Sequence, residues 1–110
     1  MAVTVVRYRT RPDRSDENQA FIEKVFAELA ATEPEGLRYA SFRLDDGVSF
    51  VHLASVDTPD GSNPLTSTTA FGAFQEGLGD RLEEGPLVLG ATVVGSYGFP
   101  FTTQPDGGGA

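Results

Sequence analysis

One stretch of this sequence holds the side chain best suited to moving protons. His52 is the single histidine among 110 residues, and it lies within Val48-Ser49-Phe50-Val51-His52-Leu53-Ala54-Ser55-Val56. An imidazole near its ordinary pKa takes up and returns a proton near neutral pH, which makes His52 the candidate catalytic base. The plainer reading is a buried histidine satisfied by a hydroxyl such as that of Ser41. Arg43 and Arg7 carry guanidinium groups that can stabilise an oxyanion or enolate; otherwise they are strand-end charges solvated at a rim. Tyr39 has a hydroxyl that can orient a phenolic substrate. Phe50 and Val56 share strand parity with His52 and supply apolar wall. Together, Tyr39, Ser41, Arg43, Phe50, Val56 and Arg7 form the candidate substrate-binding set. No metal site is expected, because one histidine with scattered carboxylates has no ligand spacing.

These residues need a sheet to bring them together. Val3 to Thr10 alternates and is β-branched, so it reads as a strand, with Val3, Val5, Arg7 and Arg9 on one face and Thr4, Val6, Tyr8 and Thr10 on the other. Pro12 ends it. Ser15 can cap a helix whose first turn holds Asp16 and Glu17. Ala20, Phe21, Ile22, Val25, Phe26, Leu29 and Ala30 form its apolar stripe, with Glu23, Lys24 and Glu28 opposite. The helix stops before Pro34, and Gly36 suits a left-handed turn. Leu37 to Leu44 and Val48 to Val56 are the next strands, joined at Asp46-Gly47, a strong hairpin signal.

A two-residue turn there sets Ser41 opposite His52 and Arg43 opposite Phe50, while a three-residue loop shifts the pairing by one and turns His52 to the other face. In the first register, Ala40, Phe42, Leu44, Val51 and Leu53 form one face, read as plain core. Tyr39, Ser41, Arg43, Phe50, His52, Ala54 and Val56 form the other. Thr58 to Pro64 is a turn-rich loop. Thr66 to Leu82 reads as a second helix carrying Phe71, Phe74, Leu78 and Leu82, weakened by Gly72, Gly77 and Gly79. The spacing of Phe71 and Phe74 favours ordinary core over pocket wall. Gly85-Pro86 is a breaker, and Leu87 to Phe99 is the last strand.

The resulting order is βαββαβ, an α+β ferredoxin-like arrangement with a four-stranded antiparallel sheet and two helices on one face. One domain spans residues 1–101, followed by a disordered tail over 102–110. Two helices leave one sheet face bare. The mixed face carrying His52 is expected to be that bare face, closed against a second copy in a homodimer. A net charge of −8 argues against nucleic-acid partners and anionic membranes. With no cysteine, thiolate and disulfide chemistry are excluded. No apolar run is long enough to span a membrane, and a cytoplasmic setting is the default.

The opening strand Val-Thr-Val-Val-Arg-Tyr-Arg-Thr-Arg-Pro, the Glu33-Pro34-Glu35-Gly36 turn, Asp46-Gly47 with its following apolar strand, and the Phe-containing second helix resemble the dimeric α+β barrel superfamily. Within it, they are similar to the antibiotic biosynthesis monooxygenase (ABM) group, over residues 3–99. The resemblance implies a small-molecule pocket into which His52 and Val56 point, and cofactor-independent oxygenation of phenolic or quinol-type substrates. Those relatives carry a pocket asparagine where this chain has His52, and a tryptophan where it has Val56. This chain has no tryptophan. Haem-degrading relatives carry a ligand histidine on the second helix, which is missing here.

Two readings follow. One is a small-molecule-binding dimer acting as a cofactor-independent monooxygenase; the other is a non-catalytic ligand-binding or assembly module. The same element order also describes RNA-recognition folds. Their third-strand signature requires a basic residue and three aromatics, of which the run from Asp46 keeps only Phe50.

Overall fold

The computed structural model describes residues 2–99. Strand β1 (Ala2–Thr10) leads through a 3-10 turn (Pro12–Arg14) into helix α1 (Ser15–Thr32). Strands β2 (Leu37–Arg43) and β3 (Ser49–Val56) form the central hairpin. Helix α2 (Thr69–Glu76) and a single-turn helix α3 (Leu78–Arg81) run directly into strand β4 (Leu82–Ala91). The sheet has the order β2-β3-β1-β4 and is antiparallel throughout. The ferredoxin-like arrangement expected from the strand and helix signals is therefore present.

Several local expectations change. Ser15 does not cap α1. Its hydroxyl is buried, 2.7 Å from Thr10 Oγ1, because the 3-10 turn has already bent the chain into the helix. Glu28 leaves the solvent side, and its carboxylate accepts the Thr69 and Ala70 amides at 3.0 and 2.8 Å. With the Thr68 hydroxyl accepting from the Phe71 amide, it satisfies the first turn of α2. The second helix breaks at Gly77, where packing does not offset the glycine cost. β4 starts before Gly85-Pro86 and ends at Ala91, rather than running from Leu87 to Phe99. An edge strand accommodates that proline, and the β1–β4 pairing shifts register between Arg7 and Arg9. The tail expected over 102–110 lies outside the described residues.

The hairpin keeps the register expected of a two-residue turn, with Ser41 opposite His52 and Arg43 opposite Phe50. The connection is longer. Leu44 accepts from the Gly47 amide, Gly47 alone takes positive φ, and Leu44 donates to Ser49. Lengthening the loop by one residue on each side preserves pairing parity, so every side chain stays on its expected face.

The identity of the covered face is the reverse of the expectation. The helices lie over Tyr8, Phe50 and His52, and the buried cluster joins Tyr8, Phe50, Ile22, Val25, Leu65 and Phe74. The set read as plain core occupies the bare side. There Phe42 is 44% exposed, and Leu87 and Leu89 are 54% and 50% exposed. By strand alternation, Val5, Val51 and Leu53 share that side. His52 is thus wedged beneath the helices and does not face a dimer cavity.

Candidate functional site

His52 sits at the centre of β3, only 4% exposed, within an aromatic enclosure. Tyr8 and Tyr39 stack on its ring at 5.3 and 5.9 Å between centroids, and Phe74 from α2 meets it tilted at 5.7 Å. Each neighbour arrives for a local reason. Tyr8 is across the sheet on β1, on the same side by alternation. Ser41 is directly opposite on β2, and Tyr39 lies two residues along the same face, opposite Ala54. Phe74 is delivered by a helix whose start is anchored to α1 through Glu28. Phe74 therefore lines the site and belongs to the core at once.

Both imidazole nitrogens are engaged. Nε2 lies 2.7 Å from the Tyr8 hydroxyl. Nδ1 lies 2.8 Å from the Tyr39 hydroxyl and 2.7 Å from Ser41 Oγ. Burial penalises the imidazolium and pushes the His52 pKa down to about 4. The ring is neutral at physiological pH, and as a proton acceptor it is weaker than an exposed histidine. The same desolvation raises the Tyr8 and Tyr39 phenols above their ordinary range, so both stay protonated.

A second polar line continues behind Tyr8. Asn18 of α1 donates to the Tyr8 hydroxyl at 2.9 Å. Asn18 Oδ1 accepts from Arg81 Nε at 3.0 Å, and an Arg81 terminal nitrogen donates to the Phe74 carbonyl at 2.7 Å. Arg81 is 1% exposed, with its guanidinium over the rings of Phe21 and Phe74 at 4.5 and 5.4 Å. Burial lowers the Arg81 pKa, but its intrinsic basicity keeps it charged. Tyr8, Asn18 and Arg81 were missed from sequence. Asn18 had a signal: with Ile22, Val25 and Leu29 it falls at helical spacing within the apolar stripe, where a buried amide demands partners.

The seam between α1 and β2 opens toward this centre as two clefts. One, of about 280 Å³, is lined by Ile22, Phe26, Ser41, Arg43 and Phe50. The other, of about 340 Å³, is lined by Phe26, Leu29, Leu37 and Tyr39. The Phe26–Tyr39 stack, 5.1 Å between centroids, stands between them. Arg43 sits at the rim, bonded to Asp16, Gln19 and the Gly47 carbonyl at 2.8 to 3.0 Å and lying over Phe50.

The structure therefore brings together His52, Tyr39, Ser41 and Phe50, with Arg43 at the mouth. Val56 shares their face but lies four residues along β3, about 13 Å from His52 at strand rise. Arg7 is exposed on the opposite face, paired with Val51 and Leu87, and is not part of this site. Among the described residues, no group of three or more histidine, cysteine, aspartate or glutamate side chains is placed to hold a metal. No described helix is long and apolar enough to cross a membrane.

No family model matches the sequence, and no curated protein matches it. Solved structures do match across most of the chain. A Bacteroides thetaiotaomicron structure provisionally classed as an antibiotic biosynthesis monooxygenase is 16% identical, with a TM-score of 0.73 and coverage of 94% of this chain and 95% of that one. A Nitrosomonas europaea structure of the same provisional class is 16% identical, with a TM-score of 0.71 and coverage of 86% and 99%. SnoaB from Streptomyces nogalater, a cofactor-independent oxygenase, is also 16% identical, with a TM-score of 0.63 and coverage of 88% and 96%. The chain thus has the βαββαβ fold of the antibiotic biosynthesis monooxygenase structures.

Proposed function

We propose that this protein is a homodimer that binds a small aromatic, oxygen-bearing molecule in the α1–β2 seam and oxygenates it without a cofactor. The observation that carries the reading is a seam walled by Phe26 and Phe50 whose two clefts reach Ser41 and Tyr39, the hydroxyl partners of His52 Nδ1. Such a site excludes water while offering fixed polar groups to one oxygen of the ligand. An anthrone or quinol-type substrate supplies the electrons itself. In an anthrone one atom of dioxygen becomes a new carbonyl at the ring CH₂ and the other leaves as water with the two displaced hydrogens. In a quinol the inserted atom becomes a ring hydroxyl as the ring is oxidised to the hydroxyquinone, and the other again leaves as water. The protein's part is to hold the substrate anion and handle its proton. His52 is the proton-handling residue, Tyr39 and Ser41 contact the substrate oxygen, and Arg43 neutralises charge at the mouth.

The homodimer reading is supported by the bare sheet side, where Phe42, Leu87 and Leu89 are exposed. A non-catalytic binding module of the same fold is the alternative, and the depressed basicity of His52 favours it.

Oxygen uptake on a panel of anthrones and quinols, with tag-free protein and no added metal or flavin, tests the catalytic reading. Uptake above the protein-free rate, lost in His52→Ala, is the expected result. A ligand-dependent rise in Tm without turnover supports the binding module instead. Uptake equal to the protein-free rate with no Tm shift for any compound refutes both.

A further inference from the structure

We infer that Arg81 and Asn18 are positioning residues that fix His52 as its Nδ1–H tautomer, so that the cluster meets its ligand as a hydrogen-bond donor. The chain of reasoning starts at the group with no choice. A guanidinium only donates, so the Asn18 atom 3.0 Å from Arg81 Nε must be the carbonyl oxygen. That orients the amide and turns Asn18 Nδ2 toward Tyr8, 2.9 Å away, as a donor. The Tyr8 oxygen therefore accepts from Asn18, and its one hydrogen is free for His52 Nε2 at 2.7 Å. With Nε2 accepting, the hydrogen of the neutral ring resides on Nδ1. The opposite tautomer would make the Tyr8 oxygen accept twice and leave its own buried hydrogen without a partner among the described residues.

The consequence falls at the seam. Nδ1, Ser41 Oγ and the Tyr39 hydroxyl meet within 2.8 Å contacts of the imidazole nitrogen. In the Nδ1–H tautomer these three atoms carry three hydrogens. Two can be used in bonds within the cluster, and the third points outward as a donor. In the Nε2–H tautomer only two hydrogens remain, both are used inward, and the cluster presents a lone pair. The tautomer thus sets the polarity of the site. A donor suits a phenolate, enolate or quinone carbonyl oxygen, whereas a lone pair suits a neutral hydroxyl. This ligand assignment rests on the reading that the α1–β2 seam is the binding site; the tautomer assignment does not.

The two claims separate in one experiment. Because His52 is the only histidine, tag-free protein labelled with ¹⁵N-histidine gives one imidazole spectrum. In wild type, Nδ1 is expected to show the shift of a protonated nitrogen and Nε2 that of a bare one; the reverse pattern overturns the inference outright. Asn18→Asp keeps the shape but replaces the donor facing Tyr8 with an acceptor, and Arg81 holds the new carboxylate ionised. Tyr8 then donates to Asp, and His52 should switch to Nε2–H. Tyr8→Phe is the second variant: with the donor to Nε2 removed, nothing holds the hydrogen on Nδ1, and the pure Nδ1–H pattern should give way to a mixture of the two tautomers. An unchanged Nδ1–H pattern in either folded variant overturns the positioning role. Dihydroxyanthraquinone serves as the ligand probe, with an expected loss of about tenfold in affinity for Asn18→Asp. A tautomer switch with unchanged affinity refutes the seam as the binding site while leaving the orienting role intact.

Discussion

Acidification should destabilise this protein through His52, and the amount can be worked out from the structure. The ring is 4% exposed, and burial pushes its pKa down to about 4, against about 6.5 in the unfolded chain. The unfolded state therefore takes up a proton that the native state refuses. Stability from this group is fully present above pH 6.5 and declines as pH falls toward 4. Below pH 4 both states are protonated and the loss levels off. The gap corresponds to about 3 kcal/mol in the limit, and about 2 kcal/mol is lost by pH 5. The assay is urea denaturation at pH 7, 6, 5 and 4, at one fixed protein concentration because association would add its own term. The reference is His52→Gln, which retains a donor and an acceptor but does not titrate. Carboxylates titrate in both proteins, including Asp46 and Asp60, whose pKa values are lowered chiefly by the hydroxyls of Ser49 and Ser62 and then by neighbouring backbone amides. The difference between the two curves isolates the histidine. Parallel curves between pH 7 and 5 would refute the claim that His52 is buried as a neutral ring.

Other perturbations test the packing around the site. Gly36→Ala should cost roughly 2 kcal/mol or more, since φ is +79° and an added Cβ would collide with the Asp57 carbonyl. Gly47→Ala, at φ +78° with open space around it, should cost only about 1 kcal/mol; urea midpoints of the pair rank them. Thr68→Ala removes the side chain that accepts the Phe71 amide and should lower stability by about 1 kcal/mol, read the same way. Leu89→Lys places a charge on the bare sheet side and should shift sedimentation from dimer toward monomer while leaving the His52 imidazole signals in place. A wild-type monomer at micromolar concentration would remove the dimer reading altogether.

Much of the scaffold was legible because its signals are local. Asp46-Gly47 announced the hairpin, and the alternation on both strands fixed which residues share a face. Even the unexpected loop length left Ser41 opposite His52, since parity is all the side chains register. Non-local bonds were not legible. Glu28 looks like a solvent-side residue on its own helix and only becomes a cap when α2 arrives over it. Arg7 has the chemistry of a pocket cation, but its place on the face opposite Tyr8 excludes it from a cluster built around Tyr8 and His52. Arg81 follows a glycine-broken segment, and nothing in the local pattern shows that its guanidinium turns inward over Phe21 and Phe74.

The choice of covered face exposes a general weakness in reading sheets by hydrophobicity. The more apolar set, Ala40, Phe42, Val51 and Leu53, invites assignment to the helices. That inference holds only if the other face meets water. When the second face meets another protein surface, both faces must be apolar, and apolarity no longer distinguishes them. The discriminating residue is on the helix. Asn18 sits in the buried stripe of α1, and a buried amide needs polar partners on the sheet beneath it. The mixed face offers Tyr8, which can accept from the amide and donate onward; the apolar face offers Arg7 at the same level, a cation that only donates and would be buried without a counter-charge. Polar complementarity, rather than apolar content, therefore assigns α1 to the face of His52. The same requirement that chooses the face also wires the imidazole to Tyr8, so the folding constraint and the candidate chemistry share one set of hydrogen bonds.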